Sequence, residues 1–331
     1  MTILTVIIPT YNASKTIERT LVSLFTQSEI PNVIVVDDCS TDNTLYLVKE
    51  KFSSQLDKGI LKILSLKQNC GPSVARQVGI ENVITPYLTF MDADDYYLGS
   101  DVLKKMNHSL KSFKPDLLMF KYITKHKNVF VKKKYKTPKN PLSSRDAMIL
   151  KINHPHPIWH YIWNKCYRTA IIKSHLISFD YNIKSAEDVK FNCDYLPYAD
   201  KVYFINEYLY LYDCTGTNSL TRSTSNIKNN INLVDEFNNE RNNYQSLIHT
   251  IKSIGCYEEC IDSLRKNICF FMYKLKCENQ KKPDLQVILN KYKELPDYKE
   301  IHKHLFIVAI NYRTSKILKI IRNKIKRILV K

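Results

Sequence analysis

The stretch YLTFMDADDYY, residues 87–97, combines a short strand with the group of acids in which it ends. The run from Leu88 to Met91 has the composition of a buried strand, and Asp92, Asp94 and Asp95 follow it directly. The whole chain, by contrast, is basic, with 50 Lys and Arg against 32 Asp and Glu and a net charge of +18. Carboxylates concentrated at one strand end of a basic protein predict a site that holds a cation.

Three other β-rich runs have the same character as residues 88–91. They read LTVIIP at 4–9, VIVVDD at 33–38 and ILKILSL at 60–66. Helical patterns lie between them, and Pro72 suits the first turn of one of these helices. Alternation of helices with nearly continuous apolar strands is typical of a parallel sheet covered on both faces by helices. The sequence therefore predicts an α/β fold with a Rossmann-like, mostly parallel sheet.

The pattern changes after residue 115. The segments DLLMFKYITKHK and NVFVKKKYK predict an antiparallel strand pair, and residues 201–214 predict further β-structure. From about residue 226 the chain becomes helical in pattern and rich in Asn and Lys. We therefore predict a catalytic domain over residues 1–222 and a helical C-terminal region over residues 223–331.

Composition limits the class of protein. The nine cysteines form no CxxC pair, which favours reduced thiols in a cytosolic protein. No run of about 18 apolar residues is present, so no spanning helix is expected, and the N-terminus lacks the pattern of a secretory signal. The positive charge indicates an anionic partner, which charge alone leaves open among nucleic acid, phospholipid headgroups and a phosphorylated substrate.

Polar residues recur where the predicted strands end. Tyr11 and Asn12 follow the first strand, and Asp37 and Asp38 close the second. Ligands of open α/β sheets bind beyond the carboxyl ends of the strands, so we expect these residues to converge with the acids that follow Met91. Oxygen ligands suit Mn²⁺ or Mg²⁺, and a divalent cation would let a diphosphate lie beside these acids.

Four segments together carry a family resemblance: VIIPTYNASKTIERTLVSLFTQS, VIVVDDCSTDNT, NCGPSVARQVGI and YLTFMDADD. In this order and spacing they resemble family 2 glycosyltransferases with the GT-A fold, and SAEDVKF at 185–191 is similar to the catalytic Glu-Asp segment of that family. The resemblance is strong over residues 2–100, weaker to about 215, and absent after 225.

The resemblance implies a nucleotide-sugar donor, usually a UDP-sugar, and inverting transfer of a hexosyl or N-acetylhexosaminyl group during synthesis of a bacterial capsule, lipopolysaccharide or other surface polysaccharide. It assigns metal binding to Asp94. It assigns donor binding to seven residues, which are Pro9, Thr10, Tyr11, Asp38, Arg76, Asp92 and Ala93. Cys39 stands where the family often has glycine. We therefore expect the turn at Cys39 to avoid a strongly positive φ.

Inverting transfer requires a base that takes the proton of the acceptor hydroxyl. The resemblance assigns this role to Asp188, whose pKa a neighbouring acid such as Glu187 or an apolar wall could raise. The alternative is that the segment only begins a helix, with Ser185 as its cap; both can hold at once.

The acceptor side is assigned to HPHPIWHYIWNKCYR, residues 154–168. Trp163 could stack on a sugar, Asn164 and Lys165 could bind hydroxyls, and Glu187 lies in the next segment. The alternative is that Trp163 belongs to the core. In TGTNSLTRS, residues 215–223, Arg222 could close over the diphosphate as part of a lid, or the segment is an ordinary polar loop.

The terminal stretch SKILKIIRNKIKRILVK, residues 315–331, has the pattern of a basic amphipathic helix. Such a helix can lie on an anionic membrane, which would suit a cytoplasmic enzyme on the inner face of the cell membrane with a lipid-linked glycan acceptor. The alternative is packing against the protein itself or a partner subunit. The sequence leaves the oligomeric state open.

Two other functions have weaker support. A nucleic-acid-binding module would fit the charge but leaves the acids unexplained, and no binding motif is present; we therefore expect no nucleic-acid partner. A nucleotidyltransferase would also use carboxylates and Mg²⁺, but it usually needs a Gly-rich phosphate loop after the first strand, which PTYNAS is not.

Overall fold

The structure is a computed structural model. It describes residues 2–154, 156–181, 187–215, 233–278, 284–295 and 297–304. The chain divides into two compact units. The first takes its described residues from Met1–Lys151 and Pro155–Asn226, and the second from Ile152–His154 and Ile227–Lys331. The predicted boundary between residues 222 and 223 lies outside the described residues.

The first unit contains a mixed sheet. Its strands in the described chain are β1 (Leu4–Thr10), β2 (Asn32–Asp37), β3 (Leu61–Ser65), β4 (Tyr87–Phe90), β5 (Tyr96–Tyr97), β6 (Leu117–His126), β7 (Val129–Lys132), β8 (Lys165–Arg168) and β9 (Val202–Asp213). They lie in the order β3-β2-β1-β4-β8-β6-β9-β5, and β7 pairs with β6.

Helices connect and flank these strands. They are α1 (Ile17–Phe25), α2 (Thr44–Lys51), α3 (Ser53–Asp57), α4 (Pro72–Glu81), α5 (Val102–Phe113), α6 (Ser144–Asn153), α7 (Thr169–Ser174) and α8 (Glu187–Tyr195). Two 3₁₀ turns cover Pro157–Trp159 and Leu196–Tyr198. Pro72 opens α4, as predicted.

The strand directions determine which loops share an edge. Strands β1 to β4 are parallel, as their four apolar runs predicted. Strand β8 is antiparallel to both β4 and β6, so β6 runs in the direction of β4. The carboxyl ends of β1, β2, β4 and β6 therefore lie at one edge. We call it the acidic edge because Asp37 ends β2 there, Asp38 follows β2 and Asp92 comes shortly after β4.

The close contact between α4 and β1 depends on a glycine. A Cβ built on Gly79 would lie 2.4 Å from Cγ2 of Ile7, which is a fully buried strand residue. The absence of a side chain thus lets α4 pack directly on the strand. This packing fixes the helix that carries Arg76 near the acidic edge.

The second unit is helical in its described part. It contains α9 (Leu233–Ser253), α10 (Tyr257–Glu278), α11 (Asp284–Lys293) and α12 (Tyr298–Lys303). The predicted helical C-terminal region is thus confirmed for these segments, whereas the terminal stretch 315–331 lies outside the described residues. None of the described helices is long and apolar enough to cross a membrane.

The backbone at Cys39 differs from our expectation. Cys39 follows β2 with a φ of +63°, so the expected avoidance of a positive φ is wrong. The turn keeps the left-handed conformation that glycine adopts easily, although Cys39 carries a Cβ.

Replacing Cys39 by glycine should therefore raise the free energy of unfolding. Relief of the left-handed strain, about 1–2 kcal/mol, outweighs the entropy that glycine adds to the unfolded chain, about 0.5–1 kcal/mol. We expect a net gain of about 0.5–1 kcal/mol in urea unfolding. Cys39→Ala is the matched control, since it removes the thiol and keeps the Cβ. A glycine variant no more stable than the alanine variant would contradict this account.

Candidate active site

Tyr11 is held in an exposed position by its neighbour Asn12. Oδ1 of Asn12 accepts hydrogen bonds from the N–H of Thr41 (2.8 Å) and of Asp42 (3.3 Å), and the N–H of Asn12 donates to Oγ of Ser40 (2.9 Å). These bonds join the loop after β1 to the loop after β2. Tyr11 remains 48% exposed, which leaves its ring available to a flat ligand at the acidic edge.

Asp38 lies at the end of β2 and organises the loop before α4. Its Oδ1 accepts from the N–H of Cys70 (2.7 Å), and its Oδ2 accepts from the N–H of Gly71 (2.8 Å). The N–H of Asp38 donates to the carbonyl of Thr10 at 2.8 Å. A carboxylate has about four acceptor positions, so these two bonds leave about two of them unfilled in a side chain that is 3% exposed.

Arg76 is the centre of the acidic edge. Its Nη2 lies 3.2 Å from Oδ1 of Asp92, and its Nη1 lies 3.0 Å from Oε1 of Glu187 and 3.5 Å from Oδ1 of Asp188. The guanidinium is almost fully buried. Burial acts to lower the pKa of Arg76, but Asp188, Asp92 and Glu187 outweigh it and raise that pKa, so the side chain stays a cation.

Asp188 and Glu187 occupy the first turn of α8. Burial is the largest cause that raises the pKa of Asp188, to about 7, and Glu187 and Asp92 add to it while Arg76 opposes it. Oδ1 of Asp188 has no hydrogen-bond partner in the described part of the chain. The carboxyl of Asp188 thus changes between its protonated and ionised forms near neutral pH, which suits a group that takes and releases a proton.

The three acids after β4 have different surroundings. Asp95 is fully buried, and its two oxygens accept from the hydroxyl of Tyr210 (2.6 Å) and the N–H of Asp213 (2.7 Å). Burial, with Asp92 and Asp94, raises the pKa of Asp95 well above its usual value. Asp95 therefore connects the acidic segment to β9 and has no acceptor position open to solvent.

Asp94 has fewer bonds than its neighbours. Its backbone carbonyl oxygen accepts a hydrogen bond from Nη2 of Arg19 at 2.5 Å. Within the described ranges, no hydrogen bond from another residue reaches its carboxylate. Burial and the nearby Asp92 raise the pKa of Asp94 to about 6. Its side chain is thus an acid whose charge the surrounding protein compensates only weakly.

Comparison with known proteins identifies the family. Residues 5–168 match the model of glycosyl transferase family 2. The chain belongs to this family. One relative is a poly(ribitol-phosphate) beta-N-acetylglucosaminyltransferase, TarS, of Staphylococcus aureus, 31% identical over 212 residues. The match covers 62% of this chain and 35% of the relative, so the chain spans about a third of that protein.

Solved structures confirm the fold of this family 2 chain. Residues 1–349 of S. aureus TarS, solved with UDP-GlcNAc, superpose with a TM-score of 0.71 at 21% identity, over 95% of this chain and 92% of that one. A mannosyltransferase of Pyrobaculum calidifontis, solved with GDP-Man and Mn²⁺, gives a TM-score of 0.54 at 13% identity, over 93% and 86%. The predicted GT-A fold is confirmed, with a mixed sheet.

The donor set of this family 2 site fits a divalent cation bound by few protein ligands. No group of three or more His, Cys, Asp or Glu side chains forms a metal cage in the described ranges. Mn²⁺ and Mg²⁺ sites often use one or two carboxylates, with phosphate and water as the other ligands. Asp94, with its weakly compensated carboxylate, meets that requirement. Asp92 lies beside it but is paired with Arg76.

The acceptor residues predicted in WNK are placed differently from our expectation. Trp163 is 2% exposed and stacks on Tyr161 and Tyr210 with ring centroids 4.5 Å apart. Nζ of the buried Lys165 donates to the carbonyls of Ile158 (2.8 Å) and Tyr161. Asn164 is also buried and donates to the carbonyl of Ile158. These three side chains therefore stabilise the loop before β8 and lack the exposed surface that sugar contact requires.

Asn192 is a residue that the sequence did not indicate. Its Nδ2 donates to the carbonyls of His160 (2.9 Å) and Asp188 (2.7 Å), and its Oδ1 accepts from the hydroxyl of Tyr167 (2.8 Å). It thus joins the loop before β8 to the helix that carries Asp188. An asparagine inside a helical pattern gives no sequence signal of such a role, because two of its partners, His160 and Tyr167, are distant in the chain.

The other predicted residues lie beside the acidic segment, in β1, or outside the described part of the chain. Ala93 lies between the two acids, and its carbonyl accepts from the hydroxyl of Thr20 at 3.0 Å. Pro9 is partly exposed in β1, between the buried residues Ile8 and Thr10. Arg222, the predicted lid residue, and Ser185, the predicted helix cap, lie outside the described residues.

Proposed function

We propose that this family 2 protein is a metal-dependent, inverting glycosyltransferase. It moves a hexosyl or N-acetylhexosaminyl group from a UDP-sugar to a glycan or lipid-linked glycan acceptor in the synthesis of a bacterial surface polysaccharide. One observation carries the proposal: Arg76 joins Asp92 at the end of β4 to Glu187 and Asp188 on α8. A strand-end acid of the donor side and a base with a pKa of about 7 thereby meet around one buried arginine.

The donor would bind at the loops after β1 and β2. Tyr11 would stack on the uracil, with Pro9 and Thr10 forming the adjacent wall. Asp38 would accept a hydrogen bond from the base through its remaining lone pairs. Asp92 and Ala93 would contact the ribose or the sugar, and Arg76 would keep Asp92 in place through its ion pair.

Asp188 would remove the proton of the acceptor hydroxyl as the hydroxyl oxygen attacks the anomeric carbon. Its raised pKa makes the carboxylate a stronger base than an exposed aspartate. Asp94 would hold Mn²⁺ or Mg²⁺, and a bound divalent cation offsets the negative charge of the departing diphosphate. Arg222 is proposed as an additional cation that closes over the diphosphate.

The relatives support the donor class. TarS is described as an N-acetylglucosaminyltransferase and was solved with UDP-GlcNAc and with UDP. The Pyrobaculum enzyme was solved with Mn²⁺. These facts concern the relatives, and we infer from them that the donor here is a UDP-sugar and the cofactor a divalent cation.

A donor-hydrolysis screen tests the proposal. The full chain is incubated with a set of UDP-sugars, with and without MnCl₂, and UDP release is measured. We expect one UDP-sugar to be hydrolysed preferentially and only with the metal. If no UDP-sugar is hydrolysed or bound, and a nucleoside triphosphate is consumed instead, the protein is a nucleotidyltransferase. Binding to a nucleic acid that is unaffected by UDP would favour the nucleic-acid-binding alternative.

We also propose peripheral association with the inner face of the cell membrane through the basic C-terminal residues 315–331, as their amphipathic pattern predicts. We also propose the predicted division of the chain into a catalytic domain over residues 1–222 and a C-terminal region over residues 223–331. A chain that ends at residue 312 should bind anionic vesicles more weakly than the full chain and retain donor hydrolysis. Equal vesicle binding by the two chains in a sedimentation assay would contradict the proposed anchor.

A further inference from the structure

Strands β6 and β7 form a hairpin with an unusual concentration of positive charge. Between residues 117 and 145 the chain has eight lysines, one arginine and no Asp or Glu. Residues 126–134, which form the outer part of the hairpin, are all exposed. We call residues 121–136 the basic hairpin. Lys127, Lys133, Lys134 and Lys136 form no ion pair within the described ranges, so their charge is available to an external anion.

The outer end of the basic hairpin is also apolar. Val129, Phe130 and Val131 are 60%, 56% and 38% exposed. In the antiparallel register, Phe130 lies opposite Lys125 and Val131 opposite Thr124. Because successive side chains of a strand point to opposite faces, both faces of the hairpin end carry an exposed apolar side chain. A hairpin that faces only water does not need apolar side chains on both of its faces.

Protection of an edge strand does not explain the combination. Lysines on an exposed edge discourage pairing with another chain. Three consecutive exposed apolar residues with high β-propensity promote such pairing and work against that protection. Lysines that surround exposed aromatic and aliphatic side chains are instead the pattern of elements that lie in a membrane interface.

The position of the basic hairpin relates it to the acidic edge. The carboxyl end of β6, from which the hairpin turns, lies at that edge of the sheet. Nζ of Lys125 is 3.3 Å from Oδ2 of Asp213, and the N–H of Asp213 donates to Oδ1 of Asp95 at 2.7 Å. A surface bound by the hairpin would therefore lie beside the acids that follow β4.

We propose that the basic hairpin docks on an anionic phospholipid surface. Val129, Phe130 and Val131 enter the interface, while the lysines contact the headgroup phosphates. A phosphate-rich polymer would use the lysines but would leave the apolar residues exposed, so the lipid surface fits both features of the hairpin. The proposal does not rest on the glycosyltransferase activity, because each feature would be present whatever reaction the acidic edge performs.

Local insertion of the hairpin is measured with the full-length Phe130→Trp variant. Trp159 and Trp163, the two native tryptophans, are both buried, so a change in emission reports the new residue. With vesicles of phosphatidylglycerol and phosphatidylcholine, we expect emission to shift to shorter wavelength and to be quenched by brominated acyl chains. Ile84→Trp is the matched control, because Ile84 is 89% exposed and precedes the opposite, amino end of β4.

Two sets of substitutions separate charge from apolar contact. Lys133, Lys134 and Lys136 are changed to Glu in one variant, and Val129, Phe130 and Val131 to Ser in another. We expect each to lower the vesicle partition coefficient at least about tenfold. The matched controls change Lys49, Lys58 and Lys104 to Glu, and Ile84 and Leu176 to Ser, all of them exposed. They should change partitioning less than about threefold.

Several outcomes would overturn the proposal. One is vesicle-bound Phe130→Trp protein whose emission neither shifts nor is quenched. Another is a serine variant that partitions like the wild type. A third is an emission shift caused by soluble polyphosphate and not by vesicles, which would assign the hairpin to a polyanionic chain. None of these readouts depends on UDP-sugar turnover, so the failure of this proposal and of the proposed function can be distinguished.

Discussion

Replacing Asp188 by asparagine is expected to lower sugar transfer at least about a thousandfold, while UDP binding changes less than about threefold. Asparagine keeps the shape of the side chain but cannot take a proton from the acceptor hydroxyl. The donor contacts, which we place at the loops after β1 and β2, remain. Transfer is measured with the donor chosen by the hydrolysis screen, and UDP binding is measured by calorimetry.

The pH dependence of the wild type gives a second measurement on Asp188. The base acts in its ionised form, and its pKa is about 7. The value of kcat/KM should therefore rise about tenfold per pH unit below about pH 7 and level off above it. A profile that is flat from pH 5 to 8 would contradict assignment of the base to Asp188.

The contribution of Asp188 to the stability of the folded protein should fall as the pH rises, whereas kcat/KM rises. Because the folded protein raises the pKa of Asp188 from 3.8 to about 7, it binds more protons than the unfolded chain between these values. The contribution of Asp188 to the free energy of unfolding is thus highest at low pH and is lost as the pH rises through this window. The difference in stability between Asp188→Asn and wild type should increase in favour of the variant from about pH 4 to 7.

Asp194→Asn is the matched control for this variant. Asp194 lies on the same helix and pairs with Nζ of Lys190 at 2.6 Å. It has no contact with Arg76, so its substitution should leave transfer and the pH profile unchanged. Near-normal transfer by Asp188→Asn, with Asp194→Asn also active, would remove Asp188 from the mechanism.

The sequence predicted the acidic edge well because local patterns determine it. Each apolar run that ends in an acid indicates a strand end, and parallel strands bring those ends together. Asp38 and Asp92 could therefore be assigned to one edge without any knowledge of tertiary contacts. The parallel half of the sheet follows from the same four runs.

The contacts of Arg76 and Trp163 could not be predicted in this way. Arg76 and Glu187 are 111 positions apart, and no periodicity indicates that a helix begun by two acids packs against that arginine. The aromatic composition of residues 159–163 suits both a sugar platform and a core. The choice between them depends on Tyr210, which covers the Trp163 ring from β9.

The backbone at Cys39 illustrates a different limit. The residue type favours a negative φ, but the turn after β2 must bring Ser40 and Thr41 to Asn12. Tertiary hydrogen bonds thus override the local preference of one residue. Local propensity alone could not have given the φ of +63°.

Replacing Asp94 by asparagine is expected to weaken manganese-dependent UDP binding at least about a hundredfold and to abolish metal-dependent transfer. The amide keeps an oxygen but loses the charge that attracts the cation. UDP is titrated into the protein with and without MnCl₂ in a calorimeter. Asp57→Asn is the matched control, since Asp57 is exposed and far along the chain from the acidic segment. Unchanged manganese-dependent binding in Asp94→Asn would contradict the role of Asp94.

The same substitution should stabilise the metal-free protein, and this second effect makes the prediction specific. Burial and Asp92 raise the pKa of Asp94 from 3.8 to about 6, so ionised Asp94 costs stability above about pH 6. Without metal, Asp94→Asn should gain about 1–3 kcal/mol in the free energy of unfolding at pH 8, and this gain should disappear below about pH 4. A metal ligand is expected to lower the stability of the metal-free protein and to be required for UDP binding with Mn²⁺. If Asp94 were an acid with a purely structural role, the same substitution would lower the stability of the protein.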